Sequence, residues 1–384
     1  MLRILVMLMI SMTTLPGMVG RAAAEEDRPL RMFVGTYTWG TSRGIYLVEL
    51  DTKLGRLSAP RLVVEMKHPT FLNWHPKKSI LYAVCELPDA GGKDVSTVAG
   101  FAVDEKTLAL TPLNRQSSGG AGACFVQIDP SGRAAIVANY SDGTVAALGI
   151  DAGGMLRAPA SVLKFQGTGP DPKRQESPHA HCAVLDPSGK FIISCDLGTD
   201  EVRVLKLNAA EATLTPNDPP SARVKPGAGP RHAVFHTNGK FLYVVNELDN
   251  TLNVFAWSAA AGTLKPVETI STLPAGSSDE SYCSEVAMHP GGRFLYAANR
   301  GHDSLAIFGV EASTGKLSPR GHVSTGGKFP GHFAIDPSGR FVVVGNQNSD
   351  NLVLFHVEQS TGALSPAGSS VEIGAPVCIR FVER

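Results

Sequence analysis

Short apolar runs alternate with turns rich in glycine and proline from residue 32 to the C-terminus. Runs such as FIISCD (191–196) and FLYVVN (241–246) are apolar at nearly every position, as expected of strands that pack on both faces. Runs such as EVRVLKL (201–207) and NLVLFHV (351–357) follow a polar loop. Their β-branched and aromatic residues, and the 40 glycines and 26 prolines between them, predict an all-β chain.

A turn motif recurs between the first and second apolar runs of each unit. It reads Asp-Pro-Ser-Gly or a close variant, and it begins at six positions: His75, Asp129, Asp186, His236, His289 and Asp336. Successive motifs start 47 to 57 residues apart, and each unit holds four apolar runs. A period near fifty residues in an all-β chain indicates propeller blades of four antiparallel strands.

Both ends of the chain carry strands that the six turns do not explain. Residues 376–382 (PVCIRFV) resemble a first strand with no turn after it. The runs at 32–37, 44–50 and 57–66 resemble second, third and fourth strands with no first. Together they complete a seventh blade, and closing the ring in this way satisfies the open edges that the two termini would otherwise leave. The sequence therefore predicts one seven-bladed β-propeller over residues 25–384, closed by strands from both termini.

The first residues differ from the rest of the chain. Arg3 precedes an apolar run over residues 4–10, and three alanines at 22–24 precede the acidic residues 25–27. This order predicts a secretory signal peptide over residues 1–24. An uncleaved anchor is the alternative, but the apolar run is short compared with the roughly 20 residues that span a bilayer. We therefore expect an exported protein, periplasmic or extracellular, with no membrane segment after cleavage.

Composition narrows the class of partner. The chain has 35 Lys and Arg residues, 35 Asp and Glu residues and no basic block, which argues against nucleic acid. The six cysteines show no CxxC spacing, so buried free thiols are expected, with a disulfide after export as the alternative. The glycine run at 119–122 lacks a following helix and lysine, so it is not a phosphate-binding loop. Nothing in the sequence calls for a cofactor or fixes an oligomeric state.

Aligning the units on the first residue of each turn motif separates constant from variable positions. Ten residues after that point, nearly every unit carries Asn or Asp, which predicts a structural cap on the next turn. These residues are Cys85, Asn139, Asp196, Asn246, Asn299 and Asn346. One residue before the turn, every unit is apolar, as expected of a core position: Trp74, Ile128, Leu185, Phe235, Met288 and Ile335.

Three further positions vary from blade to blade and are mostly polar. Eleven residues after the start of the turn lie Glu86, Tyr140, Leu197, Glu247, Arg300 and Gln347. Five residues before it lie Thr70, Cys124, His181, Arg231, Ser284 and Gly331, and four before it lie Phe71, Phe125, Cys182, His232, Glu285 and His332. The first strand begins at the end of the ring to which the second returns, so these positions are predicted to meet at one mouth of the channel. We favour a ligand site there over channel-lining groups that only hold water.

Several motifs at these positions resemble one known family. They are PHAH at 178–181, GAGPRH at 227–232, NEL at 246–248 and NRGHDS at 299–304. With the repeated turns, they make the chain similar to the lactonase family of seven-bladed propellers, typified by the bacterial propeller-type 6-phosphogluconolactonase, over nearly all of its length after residue 24. The resemblance implies hydrolysis of a sugar lactone. By analogy with a fungal relative, carboxymuconate cyclase, it also implies four catalytic residues: His181, Arg231, Glu247 and Arg300.

One position departs from the family pattern. The family usually has Pro-Arg at the start of the last blade's first strand, whereas this chain has Pro330 followed by Gly331. If that arginine holds a substrate anion such as a phosphate, this chain has lost one donor. Export points the same way, because 6-phosphogluconolactone is a cytoplasmic metabolite. The sequence therefore favours a different sugar lactone outside the cytoplasm.

Opening a lactone needs a water molecule, a base that takes its proton, and donors for the carbonyl oxygen as it becomes an oxyanion. His181 and Glu247 are both candidate bases, and the sequence does not decide between them. Histidine has a suitable unperturbed pKa, whereas the glutamate pKa would have to be raised. Arg231 and Arg300 are predicted to stabilise the oxyanion or to hold an anion through paired hydrogen bonds.

Five further residues are candidates for substrate binding: His179, Arg174, Glu86, Glu285 and Gln347. Among them, His179 is expected to orient its loop, and Arg174 is equally well explained by a structural salt bridge. His179 and His181 would share a face in a regular strand, and that spacing permits a metal ion. No third ligand lies near them in the sequence, so a metal site is the minor interpretation.

Two other functions stay open at this point. A propeller can be a non-catalytic platform that binds a partner or a sugar acid, because fold does not fix function. That alternative predicts no turnover of lactones and an exposed apolar patch on one face. A cycloisomerase acting on a muconate-type acid would run the reverse chemistry in the same site.

Overall fold

The computed structural model describes residues 29–86 and 96–382, and every regular element in these ranges is a β-strand. The predicted signal peptide, residues 1–24, lies outside the described residues. Within them, no helix is long and apolar enough to cross a membrane. The strands form seven antiparallel sheets, which confirms the predicted all-β propeller of seven blades.

Blade 1 combines strands from both ends of the chain: β1 (Leu30–Thr36), β2 (Gly44–Asp51), β3 (Arg56–Leu57), β4 (Arg61–Glu65) and β29 (Pro376–Phe381). Blade 2 comprises β5 (Leu72–Trp74), β6 (Ile80–Cys85), β7 (Thr97–Val103) and β8 (Leu110–Ser117). Blade 3 comprises β9 (Ala123–Ile128), β10 (Ala134–Asn139), β11 (Thr144–Ile150) and β12 (Leu156–Lys164). Blade 4 comprises β13 (Val184–Leu185), β14 (Phe191–Asp196), β15 (Glu201–Asn208) and β16 (Thr213–Arg223). Blade 5 comprises β17 (Pro230–Phe235), β18 (Phe241–Asn246), β19 (Thr251–Ser258) and β20 (Thr263–Ser271). Blade 6 comprises β21 (Tyr282–Met288), β22 (Phe294–Arg300), β23 (Ser304–Val310) and β24 (Leu317–Ser324). Blade 7 comprises β25 (Pro330–Ile335), β26 (Phe341–Asn346), β27 (Asn351–Val357) and β28 (Leu364–Glu372).

The ring closes through blade 1, as the leftover terminal strands predicted. Strand β29 pairs antiparallel with β1, with Val34 opposite Ile379. The predicted single strand over 57–66 was wrong, because it is divided into β3 and β4 around residues 58–60. Pro60 lies in that gap, although prolines at the matching place of other blades, such as Pro112 in β8, lie within an unbroken strand. Both pieces still pair with β2.

The recurring turn is held by its acidic residue. In blade 4, Asp186 Oδ1 accepts hydrogen bonds from the backbone N–H groups of Lys190 (3.0 Å) and Phe191 (2.8 Å). Gly189 in the same turn has a φ of +70°, a conformation that favours glycine. These two requirements explain why Asp-Pro-Ser-Gly recurs at the same point of successive blades.

Neighbouring blades are joined by hydrogen bonds as well as by apolar packing. In three blades, a tyrosine on the second strand is fully buried. Its hydroxyl donates a hydrogen bond to a backbone carbonyl in the next blade, so the polar end of the tyrosine side chain has a partner. The pairs are Tyr82 with Gly154 (2.7 Å), Tyr243 with Gly315 (3.0 Å) and Tyr296 with Gly362 (2.9 Å). The predicted structural asparagines behave similarly, since Asn299 Nδ2 donates to Thr272 O at 2.9 Å and is buried.

All six cysteines are free thiols, and five of them are buried. This finding agrees with the expected packed thiols and does not support the alternative of a disulfide. Cys124 is the partly exposed one, because it lies at the edge of the central channel.

Candidate functional site

The variable positions meet at one mouth of the channel. Antiparallel pairing places the start of each first strand beside the end of the second, for example Pro230 opposite Asn246. The space between the blades is a cavity of about 280 Å³, which we call the mouth cavity. Its lining comprises Tyr37, Thr70, Phe71, Glu86, Cys124, Tyr140, Arg174, His181, Arg231, His232, Glu247, Arg300, Gly331, His332, Gln347 and Val377.

A β-bulge places one residue of the first strand toward this cavity in several blades. The pairing skips Arg231 between β17 and β18, and it skips Cys124, Gly331 and Val377 in the corresponding places of three other blades. A bulged residue faces a different way from its neighbours, and bulges are common beside functional sites. The bulge therefore explains why the position five residues before the turn is free to vary.

Glu247 is the centre of the charged groups in the mouth cavity. Its Oε1 lies 2.5 Å from Arg174 Nη2, and its Oε2 lies 2.9 Å from both Arg231 Nε and Arg300 Nη2. Burial alone would raise the Glu247 pKa, but Arg300, Arg231, His181 and Arg174 together outweigh it and hold that pKa well below its ordinary value. Glu247 is therefore ionised and a weak proton acceptor, which bears on its predicted role as a base.

The guanidinium groups are fixed by the backbone as well as by Glu247. Arg231 Nη1 donates to Ser284 O, while Arg300 donates to Tyr282 O at 3.2 Å and to Cys283 O at 3.0 Å. Each guanidinium carries five N–H donors, more than these bonds use. Preorganised donors of this kind can receive an oxyanion or a carboxylate without reorganising.

His181 is the second group that the sequence proposed as a base. His181 lies where the first strand of blade 4 was expected. That strand, β13, starts only at Val184, and Ala180 forms an isolated bridge with Asp196. Burial, followed by the charges of Arg231 and His232, lowers the His181 pKa well below its ordinary value. The imidazole is therefore neutral and has a lone pair free to accept a proton, and the lowered pKa makes it a weaker base than an ordinary histidine.

Cys124 lies beside this histidine, with Sγ 3.8 Å from His181 Nδ1. A cysteine next to a histidine can be a nucleophile when the thiol pKa is lowered. Here burial, and then the charge of Glu86, raise the Cys124 pKa well above its ordinary value, so the group is a thiol. Its closest hydrogen bond is to His181 O, at 3.4 Å.

His179 was a candidate for substrate binding, but the structure places it outside the lining of the mouth cavity. Its ring stacks on Tyr140 at 4.4 Å, its Nδ1 lies 2.9 Å from Tyr140 O, and its Nε2 lies 3.2 Å from Glu176. Tyr140 in turn lines the cavity, so His179 supports the wall. Among the described residues, no group of three or more His, Cys, Asp and Glu side chains could hold a metal ion.

Glu285 was also a candidate for substrate binding, and the structure places it outside the lining of the mouth cavity. Glu285 lies on the far side of His232 and His332, where it lines a second cavity of about 500 Å³ deeper in the channel. Its Oε2 lies 3.0 Å from His232 Nδ1 and 3.2 Å from His332 Nε2. In blade 6 the register shifts over two residues, Ser284 and Glu285, so the simple count from the turn fails there.

This histidine–carboxylate group separates the two cavities. Burial alone would raise the Glu285 pKa, but His232 and His332 outweigh burial and hold it at about 2. Burial lowers the pKa of both rings; His232 Nδ1 is hydrogen-bonded to the carboxylate, and His332 Nε2 is in contact with it.

Glu86, Arg174 and Gln347, the other candidates for substrate binding, all line the mouth cavity. The sequence missed two lining residues, Tyr37 and Val377. They occupy in blade 1 the places that Glu247 and Arg231 occupy in blade 5, after the second strand and in the bulge of the first. Blade 1 has no turn motif to align on, but the shared proline of Pro230 and Pro376 could have set the register.

Comparison with known proteins agrees with the fold and with these motifs. The family described as "Lactonase, 7-bladed beta-propeller" matches residues 31–381. A 6-phosphogluconolactonase of Bacillus subtilis is 37% identical over 352 residues, 92% of this chain and 98% of its own length. A 6-phosphogluconolactonase of Formosa agariphila is 34% identical over 309 residues, 79% of this chain and 85% of its own.

Among solved structures, a periplasmic gluconolactonase of Pseudomonas aeruginosa superposes with a TM-score of 0.88 at 33% identity, covering 93% of this chain and 99% of that one. The family match spans all seven blades and therefore the whole mouth cavity. The chain belongs to the lactonase family of seven-bladed β-propellers.

Proposed function

We propose that the mouth cavity hydrolyses an unphosphorylated sugar lactone by attack of water on the lactone carbonyl. The protein is a lactonase, a hydrolase that acts on sugar lactones, as its family and its 6-phosphogluconolactonase relatives indicate. The observation that carries the mechanism is the pairing of an ionised Glu247, held by three guanidiniums, with an unprotonated His181 in one cavity.

His181 is the base in this proposal. A neutral imidazole can take a proton from water, whereas Glu247 is stabilised as a carboxylate by the guanidiniums and gains little by protonation. Arg231 and Arg300 supply N–H donors to the carbonyl oxygen as negative charge develops on it. Glu247 positions these donors, and the His181 pKa rises when the adjacent oxyanion forms.

Two observations favour a substrate without a phosphate. Gly331 stands in the mouth cavity where the family usually has an arginine, so this position supplies no side-chain donor. The similar periplasmic gluconolactonase and the predicted signal peptide agree with an enzyme that works outside the cytoplasm.

The test compares glucono-δ-lactone with its 6-phosphorylated form, using the purified protein and subtracting the uncatalysed rate. We expect kcat/KM to favour the unphosphorylated lactone by about tenfold or more, since the site lacks a dedicated phosphate donor. A preference for the phosphorylated lactone would overturn the substrate assignment. No turnover of either would support the non-catalytic platform instead.

The predicted signal peptide has its own test. N-terminal sequencing of the exported protein should begin at Glu25.

A further inference from the structure

Two carboxyl groups line the mouth cavity, and their surroundings differ. Glu247 in blade 5 is bonded to three guanidiniums, whereas no ion pair to Glu86, which follows β6 in blade 2, occurs among the described residues. Glu86 Oε2 is buried and makes no hydrogen bond within the described part of the chain. Thr70 Oγ1, on the same wall, is also buried; it lies near the Glu86 carboxyl but makes no hydrogen bond within the described part of the chain.

Buried polar atoms without partners cost free energy, and native proteins contain few of them. Here two such atoms belong to the wall of one cavity that is open to the channel mouth. A polar group of a ligand would satisfy both. This wall lies across the ring from the guanidiniums, so a lactone whose carbonyl oxygen faces Arg231 and Arg300 presents its other oxygens toward blade 2.

The groups that face Glu86 favour its neutral form. Burial raises the Glu86 pKa, and the hydroxyls of Tyr37 and Thr70 and the charge of Arg231 oppose burial less strongly. Tyr37 and Cys124, the other titratable groups that interact with it, are uncharged because burial raises the pKa of each. The Glu86 backbone N–H donates to His68 O at 3.3 Å, which fixes the end of the strand.

We propose that Glu86 is a catalytic acid, which protonates the ring oxygen of the lactone as the bond from that oxygen to the carbonyl carbon breaks. This inference rests on the proposed lactone hydrolysis and adds a residue that the base and the arginines leave unspecified. The leaving group is an alkoxide, and general acid catalysis of its departure contributes about 10²- to 10⁴-fold in enzymes.

The proton transfers balance. Water adds to the carbonyl carbon while its proton moves to His181, and the carbonyl oxygen becomes an oxyanion beside the guanidiniums. The carbonyl re-forms, the ring C–O bond breaks, and the Glu86 proton moves to the departing oxygen, which becomes a hydroxyl. The new carboxylic acid returns a proton to Glu86, and His181 releases its proton to solvent. The sum is lactone and water giving a hydroxycarboxylate and one proton.

Opposite environments support this division of roles. His181 lies beside Arg231 and His232 and is unprotonated, while Glu86 is the one carboxyl of the described cavity lining that no guanidinium holds. Pairs of titratable groups whose surroundings move their pKa values apart are typical of acid–base catalysis. Blade 4 supplies the acceptor and blade 2 the donor, with Tyr140 of blade 3 on the wall between them.

The experiment measures kcat and KM for glucono-δ-lactone as a function of pH in the wild type, Glu86→Gln, Glu86→Asp and a matched control, Glu311→Gln. Glu311 lies in an exposed turn, outside the lining of the mouth cavity. We expect Glu86→Gln to lower kcat by about 10²-fold or more with KM changed by less than about threefold. Glu86→Asp should keep part of the activity, and Glu311→Gln should match the wild type.

The pH profile separates catalysis from a structural role. An acid must be protonated, so wild-type kcat should fall as the pH rises through the Glu86 pKa, and this fall should be absent in Glu86→Gln. A Glu86→Gln variant that keeps kcat within threefold, keeps the alkaline fall or loses activity only through KM would overturn the proposal. Absence of turnover in the wild type would overturn the proposed function itself, and the Glu86 role with it.

Discussion

Arg231 occupies a β-bulge in the first strand of blade 5, and its Nε donates at 2.9 Å to Oε2 of Glu247, which follows the second strand of the same blade. The bulge and the strand end recur around the ring, so every such blade offers two side chains to the mouth of the channel. The scaffold therefore fixes where the side chains lie, and their identity alone sets the chemistry.

Replacing Glu247 with glutamine tests whether this carboxylate organises the cavity. The substitution keeps the shape and leaves three guanidiniums near one another without a counter-charge. Removing one partner of a buried ion pair costs about 3–5 kcal/mol, so the free energy of unfolding should fall by a similar amount. We also expect kcat to fall by about 10²-fold or more, because the oxyanion donors lose their position.

The control for this variant is Glu65→Gln, which breaks the exposed pair of Glu65 with Arg43. Exposed ion pairs contribute less than about 1 kcal/mol, so its stability should hardly change. Denaturant unfolding and lactone turnover are measured on both proteins. If Glu247→Gln behaves like this control, Glu247 is not the organising group.

The pH dependence of kcat/KM tests His181 as the base. A base must be unprotonated, and the lowered His181 pKa keeps it so until the pH falls well below the ordinary histidine value of about 6.5. Activity should therefore stay constant as the pH falls past 6.5 and decline only at lower pH. His181→Gln should reduce kcat/KM by about 10²- to 10⁴-fold and remove that decline.

The lowered His181 pKa also makes the stability of the folded protein decrease as the pH falls. The folded His181 pKa lies below the unfolded one, so the unfolded chain binds the proton first, and the His181 contribution to stability is lost as the pH falls below about 6.5. An acid decline of kcat/KM centred at or above pH 6.5 would contradict the assignment, and so would its persistence in His181→Gln.

Fold and site were predictable to different extents. The number of blades could be predicted because the same turn motif recurs along the chain. It recurs because residues such as Asp186 and Gly189 each meet a local requirement of that turn. The cluster at Arg231, Glu247 and Arg300 followed from the same register. Bulges have no signal of this kind, so the count from the turn failed at Glu285.

Other features depend on contacts that no local pattern encodes. Arg174 reaches Glu247 from a loop outside the aligned positions, and the sequence left substrate binding and a structural salt bridge equally open for it. Tyr37 was missed because blade 1 joins two distant parts of the chain. The neutral state of His181 follows from burial and from the charges on neighbouring blades, which only the folded ring brings together.

Cys124 provides a test against a covalent mechanism. Its thiol lies near His181, but burial raises its pKa, so it is not an activated nucleophile. Cys124→Ser should keep kcat/KM within about fivefold of the wild type, because hydrolysis needs no thioester. Mass spectrometry of protein quenched during turnover should show an unmodified chain, and an adduct of one lactone mass on Cys124 would contradict this prediction.

Gly331→Arg tests the basis of substrate choice. Gly331 lies in the bulge of blade 7 without a positive φ, so the backbone accepts a side chain. A Cβ there would lie 3.2 Å from Val377 Cγ1, so Val377 must shift slightly, and 3.6 Å from Gln347 Oε1, an ordinary van der Waals contact. The new guanidinium would add a donor to the cavity wall, where it can pair with a phosphate.

We expect Gly331→Arg to raise the ratio of kcat/KM for phosphorylated over unphosphorylated glucono-δ-lactone by about tenfold or more, since a charge-assisted hydrogen bond contributes about 1.5–3 kcal/mol. Gly331→Ala is the matched control, because it introduces the same contact with Val377 but no charge, and its ratio should stay at the wild-type value. The gain should also shrink as salt is added, because the paired charges are partly screened at the channel mouth. An unchanged ratio in the arginine variant, or an equal change in the alanine control, would show that Gly331 does not set the preference.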